Sequence, residues 1–102
     1  MRLGRIVGTV VSTIKSSGLN AYKLLLVNDI DATRPEDTEG TADIYVAVDL
    51  TGAGEGDVVL VSHGSAARVG EGQGAIPTDA AVIAIVDTIQ AGSTTTYTNT
   101  KH

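Results

Sequence analysis

Residues 44–68, IYVAVDLTGAGEGDVVLVSHGSAAR, leave a chain few ways to fold. Two runs of branched and aromatic residues, IYVAV at 44–48 and VVLV at 58–61, flank a connection with glycine at every second position, Gly52, Gly54 and Gly56. Val- and Ile-rich runs separated by a glycine-punctuated connection predict two strands that pair as a hairpin. Behind the second run, Gly64-Ser65-Ala66-Ala67-Arg68 predicts a single helical turn with Ser65 as its cap.

The remaining strands read from the same signals. Residues 2–14 are β-rich, with Ile6, Val10 and Ile14 on one parity and Leu3, Val7 and Val11 on the other. Gly4 and Gly8, four apart, allow a sharp bend or the close approach of another backbone. A turn at Ser16-Ser17-Gly18 leads to a strand over 22–27 whose LLLV run is apolar on both faces. Residues 80–89, AAVIAIVDTI, predict the last strand, with Val82, Ala84 and Val86 on one side and Ile83 and Ile85 on the other. Between these lie an acidic loop over 28–43 and a Gly- and Pro-rich connection over 69–78, which excludes long regular structure. The expected fold is all-β: a small five-stranded, OB-like antiparallel barrel with one short helical turn. Residues 1–89 form the barrel domain and residues 90–102 a Thr-rich tail, either disordered or adding an edge strand to a neighbour.

Strands that are greasy on both faces must touch protein on both faces. With 102 residues and only three Tyr as aromatics, the chain builds one core from small branched side chains. A domain of this size hides only roughly 60–65% of its unfolded surface, so its stability margin is modest. Self-association raises that margin.

Charge excludes whole classes of partner. The net charge is −5 and the seven Lys and Arg are scattered, whereas nucleic acids and anionic membranes are bound through clustered cations. The absence of cysteine removes thiolate and disulfide chemistry, as suits a reducing cytoplasm. The opening MRLGRIVGTVV has no apolar run of signal-peptide length, so neither secretion nor a membrane span is expected.

Candidate chemistry is sparse. His63 stands between Ser62 and Ser65, but no G-x-S-x-G elbow accompanies them, and a histidine closing a strand is the simpler reading. Asp29-Ile30-Asp31-Ala32-Thr33-Arg34 begins like a calcium loop and then places a cation where the turn needs glycine. Gly52 to Gly56 and Gly70 to Gly74 resemble phosphate loops in glycine content only; the first opens a strand, the second runs into Pro77, and each contains a Glu. No catalytic residue, metal ligand or cofactor site is expected.

Taken together, MRLGRIVGTVV at the start, KLLLV at 23–27, VAVD at 46–49 with the following residues to Arg68, and PTDAAV at 77–82 with VD at 86–87 resemble the EutN/CcmL family. These are pentameric vertex proteins of bacterial microcompartment shells, including carboxysomes. The resemblance spans residues 1–89 and implies a non-enzymatic shell protein: a homopentameric ring that closes fivefold corners among hexameric shell proteins. Against it stands a small OB-like binding module or accessory enzyme subunit. On the resemblance, Gly52, Ala53, Gly54, Glu55 and Gly56 are assigned to the ring axis, and Gly64, Ser65, Ala66, Ala67 and Arg68 to the contact between subunits. Asp57 replaces a common Glu and Thr78 a common Ile, while the acidic loop and the tail lie outside the pattern.

Overall fold

The structure, a computed structural model, describes residues 1–12, 22–36, 44–64, 69–70, 74–75 and 79–100. The turn at Ser16-Ser17-Gly18, residues 37–43 of the acidic loop, and Ser65, Ala66, Ala67 and Arg68 lie outside the described residues.

Five strands close into a barrel: β1 (Arg2–Val10), β2 (Lys23–Asp29), β3 (Ile44–Asp49), β4 (Val58–His63) and β7 (Ala80–Ile85), in the order β1-β2-β3-β7-β4 and back to β1. Two short ribbons complete the described chain, β5 (Val69–Gly70) with β6 (Gly74–Ala75), and β8 (Thr88–Ala91) with β9 (Thr94–Thr98). Ile6, Leu25, Val27, Ala47, Val59, Val61 and Val82 fill the barrel, with Tyr45 and Ile85 packed against them. Small branched side chains suffice because a barrel of five strands has a narrow interior.

One expected pairing is overturned. β3 and β4 do not form a hairpin; β7 lies between them, parallel to β3 (Val48 opposite Ala81) and antiparallel to β4. The connection decides this. Ala53 is fully buried in the core cluster, so residues 50–57 cross the barrel end instead of turning back. Gly56 N then donates to Ile6 O at 2.8 Å and Ile6 N to Asp57 O at 2.9 Å, which delivers the chain to β1. The parallel pair also breaks the expected all-antiparallel pattern.

Two bulges overturn the expected parities. In β1, Ile6 faces Val27 and Gly8 faces Leu26, so Val7 is the extra residue and the inward side passes from Ile6 to Thr9. In β7, Leu60 pairs with Ala84 and Val61 with Val82, which leaves Ile83 extra and turns Ile85 toward the core. A bulge shifts the side-chain period by one, and no composition signal marks it.

Buried carboxylates hold the crossing loop. Asp49 Oδ1 accepts from Thr51 N and Oγ1, both at 3.0 Å, and from Gly52 N at 3.1 Å. Gly52 adopts φ +80°, open to glycine and strained for other residues. Asp57 Oδ2 accepts from Gly54 N at 2.8 Å, while Lys23 Nζ donates to Ala53 O at 2.9 Å. Asp49→Ala would strand the two amides and the hydroxyl, and is expected to cost about 2–3 kcal/mol. Asp49→Asn keeps the accepting oxygen and loses less. The urea midpoint orders the three proteins; an Ala variant no less stable than Asn removes the role given to Asp49.

The tail folds. β9 pairs with β8 of its own chain, Ile89 is buried, and Thr96 Oγ1 donates to Ala32 O at 2.7 Å. The division of the chain at residue 89 falls inside β8. The ribbon lies beside β1, where the Arg5 guanidinium sits 5.8 Å over the Tyr97 ring and reaches Glu36 at 2.9 Å.

Candidate subunit-docking surface

Register fixes which side chains stand outside the barrel. Leu26 of β2 lies opposite Gly8 of β1 and Val46 of β3, and Leu24 opposite Val10 and Val48. Val48 in turn lies opposite Ala81 of β7, so one outer face runs through Val10, Leu24, Leu26, Val46, Val48 and Ala81 with no charge among them. At the margins of this face, Ile44 is 55% exposed, Val46 44%, Ile83 39% and Val7 38%. Both bulge residues are thus left on the outside. On the β1–β4 side, by contrast, Val58 is fully buried and its partner Arg5 meets the Tyr97 ring. Val48 and Ala81 are already buried within the subunit, so the open part of this apolar side centres on Ile44 and Val46, with Leu24 and Leu26 partly exposed beside them.

A groove of about 310 Å³ adjoins the open side, lined by Arg2, Ile44, Tyr45, Val46, His63 and Asp79. Its floor is a polar cluster that strand ends bring together. Arg2 Nη1 reaches Asp29 Oδ2 at 2.9 Å, the Tyr45 hydroxyl donates to Asp29 Oδ1 at 3.0 Å, and the Tyr45 and His63 rings meet edge-on at 5.0 Å between centroids. His63 is half-buried, and its Nε2 is enclosed with no hydrogen-bond partner among the described residues. Burial, then the nearby Arg2, hold its imidazole below the ordinary value of 6.5, against the pull of Asp29 and Asp79.

The residues singled out in the sequence fall in three places. Gly52, Ala53, Gly54, Glu55 and Gly56 form the crossing loop, with Ala53 plugged into the core and Gly52 and Glu55 exposed above it. Of the Gly64 to Arg68 motif only Gly64 is described; its φ is +68° and its N–H donates to Asp79 O at 2.8 Å, beside the groove. Ser62 and His63 are consecutive in β4 and so point to opposite faces, which removes them as a nucleophile and base pair. Asp29 and Asp31 turn to different partners, the latter's Oδ1 accepting from Thr33 N at 2.8 Å and Thr33 Oγ1 at 2.7 Å. Sequence reasoning did not find Ile44, Val46 and Ile83 as a surface, nor the cluster around His63. Its one available signal was the two-faced apolar strand.

Residues 1–87 match the family described as ethanolamine utilisation protein EutN/carboxysome. The carboxysome shell vertex protein CcmL of a Synechocystis species is 44% identical over 97 residues, 95% of this chain and 93% of its own length. Among solved structures, CcmL of Gloeobacter violaceus superimposes with a TM-score of 0.80 at 40% identity, covering 96% of this chain and 97% of that one. The GrpN pentameric microcompartment shell protein from Rhodospirillum rubrum gives 0.72 at 39% identity, covering 90% and 99%.

Proposed function

The chain belongs to the EutN/CcmL family of microcompartment shell proteins, and from that premise we propose that it is a structural vertex protein, five copies of which close into a ring and cap a corner of the shell. The observation that carries this reading is the open apolar side of the barrel, which a heterologous contact between identical subunits would cover while leaving a free face at each step until the ring closes. The closed barrel itself has no sheet edge to offer, so its own contribution to a contact is made through side chains on that face. Hexameric shell proteins would meet the ring's outer rim, where five subunits supply the curvature that flat tiling lacks.

Within the ring, Gly52, Ala53, Gly54, Glu55 and Gly56 line the axis. A loop tied by two buried carboxylates makes a rigid lining, which supports this assignment. Gly64, which lies beside the groove, and the following Ser65, Ala66, Ala67 and Arg68 are assigned to the contact between subunits. Arg68→Ala is then expected to weaken assembly about tenfold per interface, as loss of a charge-assisted hydrogen bond does. Native mass spectrometry across a dilution series reads this directly, and a variant that dissociates at the wild-type concentration removes Arg68 from the interface. The function itself is tested by the wild-type mass at pH 8. A five-subunit species supports the vertex role, and a well-folded single subunit at micromolar concentration rules it out.

A further inference from the structure

We propose that ring assembly is proton-sensitive through His63, whose protonation opposes the docking of a second copy on the open side of the barrel. This rests on the vertex reading and adds its regulation. The geometry has three parts.

First, the groove that holds His63 is continuous with the docking face, since Ile44 and Val46 belong to both. A neighbour that covers those side chains also takes water out of the groove. Second, Nε2 is already enclosed without a partner, and an imidazolium must carry a proton on both ring nitrogens whichever tautomer precedes it. Nε2 has no solvent to lose, so the cost that docking adds falls on the exposed remainder of the imidazole ring, whose charge the covered groove no longer screens.

Third, the surrounding charges do not compensate. Arg2 and the amino-terminal ammonium on the β1 side oppose a positive imidazole, while Asp29 of β2 and Asp79 ahead of β7 favour it. Asp29 is already engaged by Arg2 and by the hydroxyl of Tyr45, the one titratable group that β3 turns toward the ring. Burial adds to the Arg2 effect in the same direction, so the folded subunit holds the imidazole below 6.5. A group held low in the buried state binds fewer protons there. Covering the groove lowers it further in the ring, so the contribution to assembly is complete above the free subunit's own pKa, which lies below 6.5, and declines as pH falls through it.

The test follows ring dissociation on dilution, by mass photometry or sedimentation velocity, between pH 8 and pH 5.5, a range in which exposed carboxylates stay ionised. For the wild type, each interface is expected to weaken toward the acid end of this range, as pH falls through the subunit's lowered His63 pKa, by up to about tenfold per pH unit, the limit for uptake of one proton. His63→Gln, which cannot take up a proton, is expected to keep a five-subunit ring at pH 8 and to flatten this dependence. His63→Asn repeats the measurement should the Gln variant fold poorly, and His102→Gln, changing the other histidine, is expected to behave as the wild type. A wild-type ring equally stable at both ends of the range overturns the proposal, as does a His63→Gln ring with undiminished pH dependence. Both outcomes leave the five-subunit mass at pH 8 intact and so spare the vertex reading, whereas a single subunit at pH 8 ends both.

Discussion

Val46→Asp is expected to convert the ring into folded single subunits. Val46 is 44% exposed on the outer face of β3, opposite Leu26, and lines the groove. In a free subunit the carboxylate has water beside it, so the barrel itself loses little. In the ring it would be covered by a neighbour's apolar surface, and Arg2, the cation lining the same groove, is already paired with Asp29. Losing the burial of half a valine costs about 1 kcal/mol, and dehydrating an unpaired carboxylate adds several more. A penalty of about 3 kcal/mol or more per interface weakens each contact over a hundredfold. Native mass spectrometry at micromolar concentration gives the outcome, with circular dichroism confirming that the single subunit stays β-folded. A Val46→Asp protein that keeps its five-subunit mass would show that the open face is not the docking surface, and Val46→Thr, nearly the same in shape, supplies the mild control.

The second large effect is internal. Gly4 is inward-facing in β1, and a Cβ built on it runs into Val27 Cγ1, with Asn28 O at 3.3 Å and the Tyr45 hydroxyl at 3.7 Å. Val27 is fully buried and β-branched, so it has no free rotamer to retreat into. An alanine in a strand ordinarily gains stability over glycine by roughly 0.5–1 kcal/mol, but here the collision sets the sign. Gly4→Ala is expected to lose about 1–3 kcal/mol, the range for an overpacked core, and Gly4→Val more. The urea unfolding midpoint measures both. An alanine variant as stable as the wild type would mean that β2 yields easily at Val27. Because Tyr45 and Asp29 sit at the same corner, the variant also tests whether the groove depends on this close approach.

The strands themselves were readable. The strands expected over 22–27, 44–48 and 58–61 are found, because branched residues on both faces fit a buried sheet, whereas the last one, expected over 80–89, divides into β7 and β8. Gly4 was readable as a close approach for the same local reason. Partner choice was not. The 44–61 segment has every local mark of a hairpin, yet burying Ala53 and pairing residues 56 and 57 with Ile6 is what carries β4 to β1. Nor could parity past residue 6 in β1 or residue 82 in β7 be followed, since the bulges at Val7 and Ile83 come from the curvature of barrel closure.

The same division holds for the surface. His63 was visible as a histidine at a strand end, but Arg2, Asp29, Tyr45 and Asp79 are scattered over the chain and meet it only because β1, β2, β3 and the entry to β7 converge at one end of the barrel.

What the amino-acid order determined alone is the inventory: short branched strands, an acidic surface, a core of small residues, and more apolar strand surface than one barrel interior can hold. Those are properties of single residues and their immediate neighbours. What tertiary structure decided is which of the two apolar faces stays outside and what lies beside it. That choice depends on register, on two extra residues in two strands, and on where one alanine is buried, and each of these is set by contacts between segments far apart in the chain.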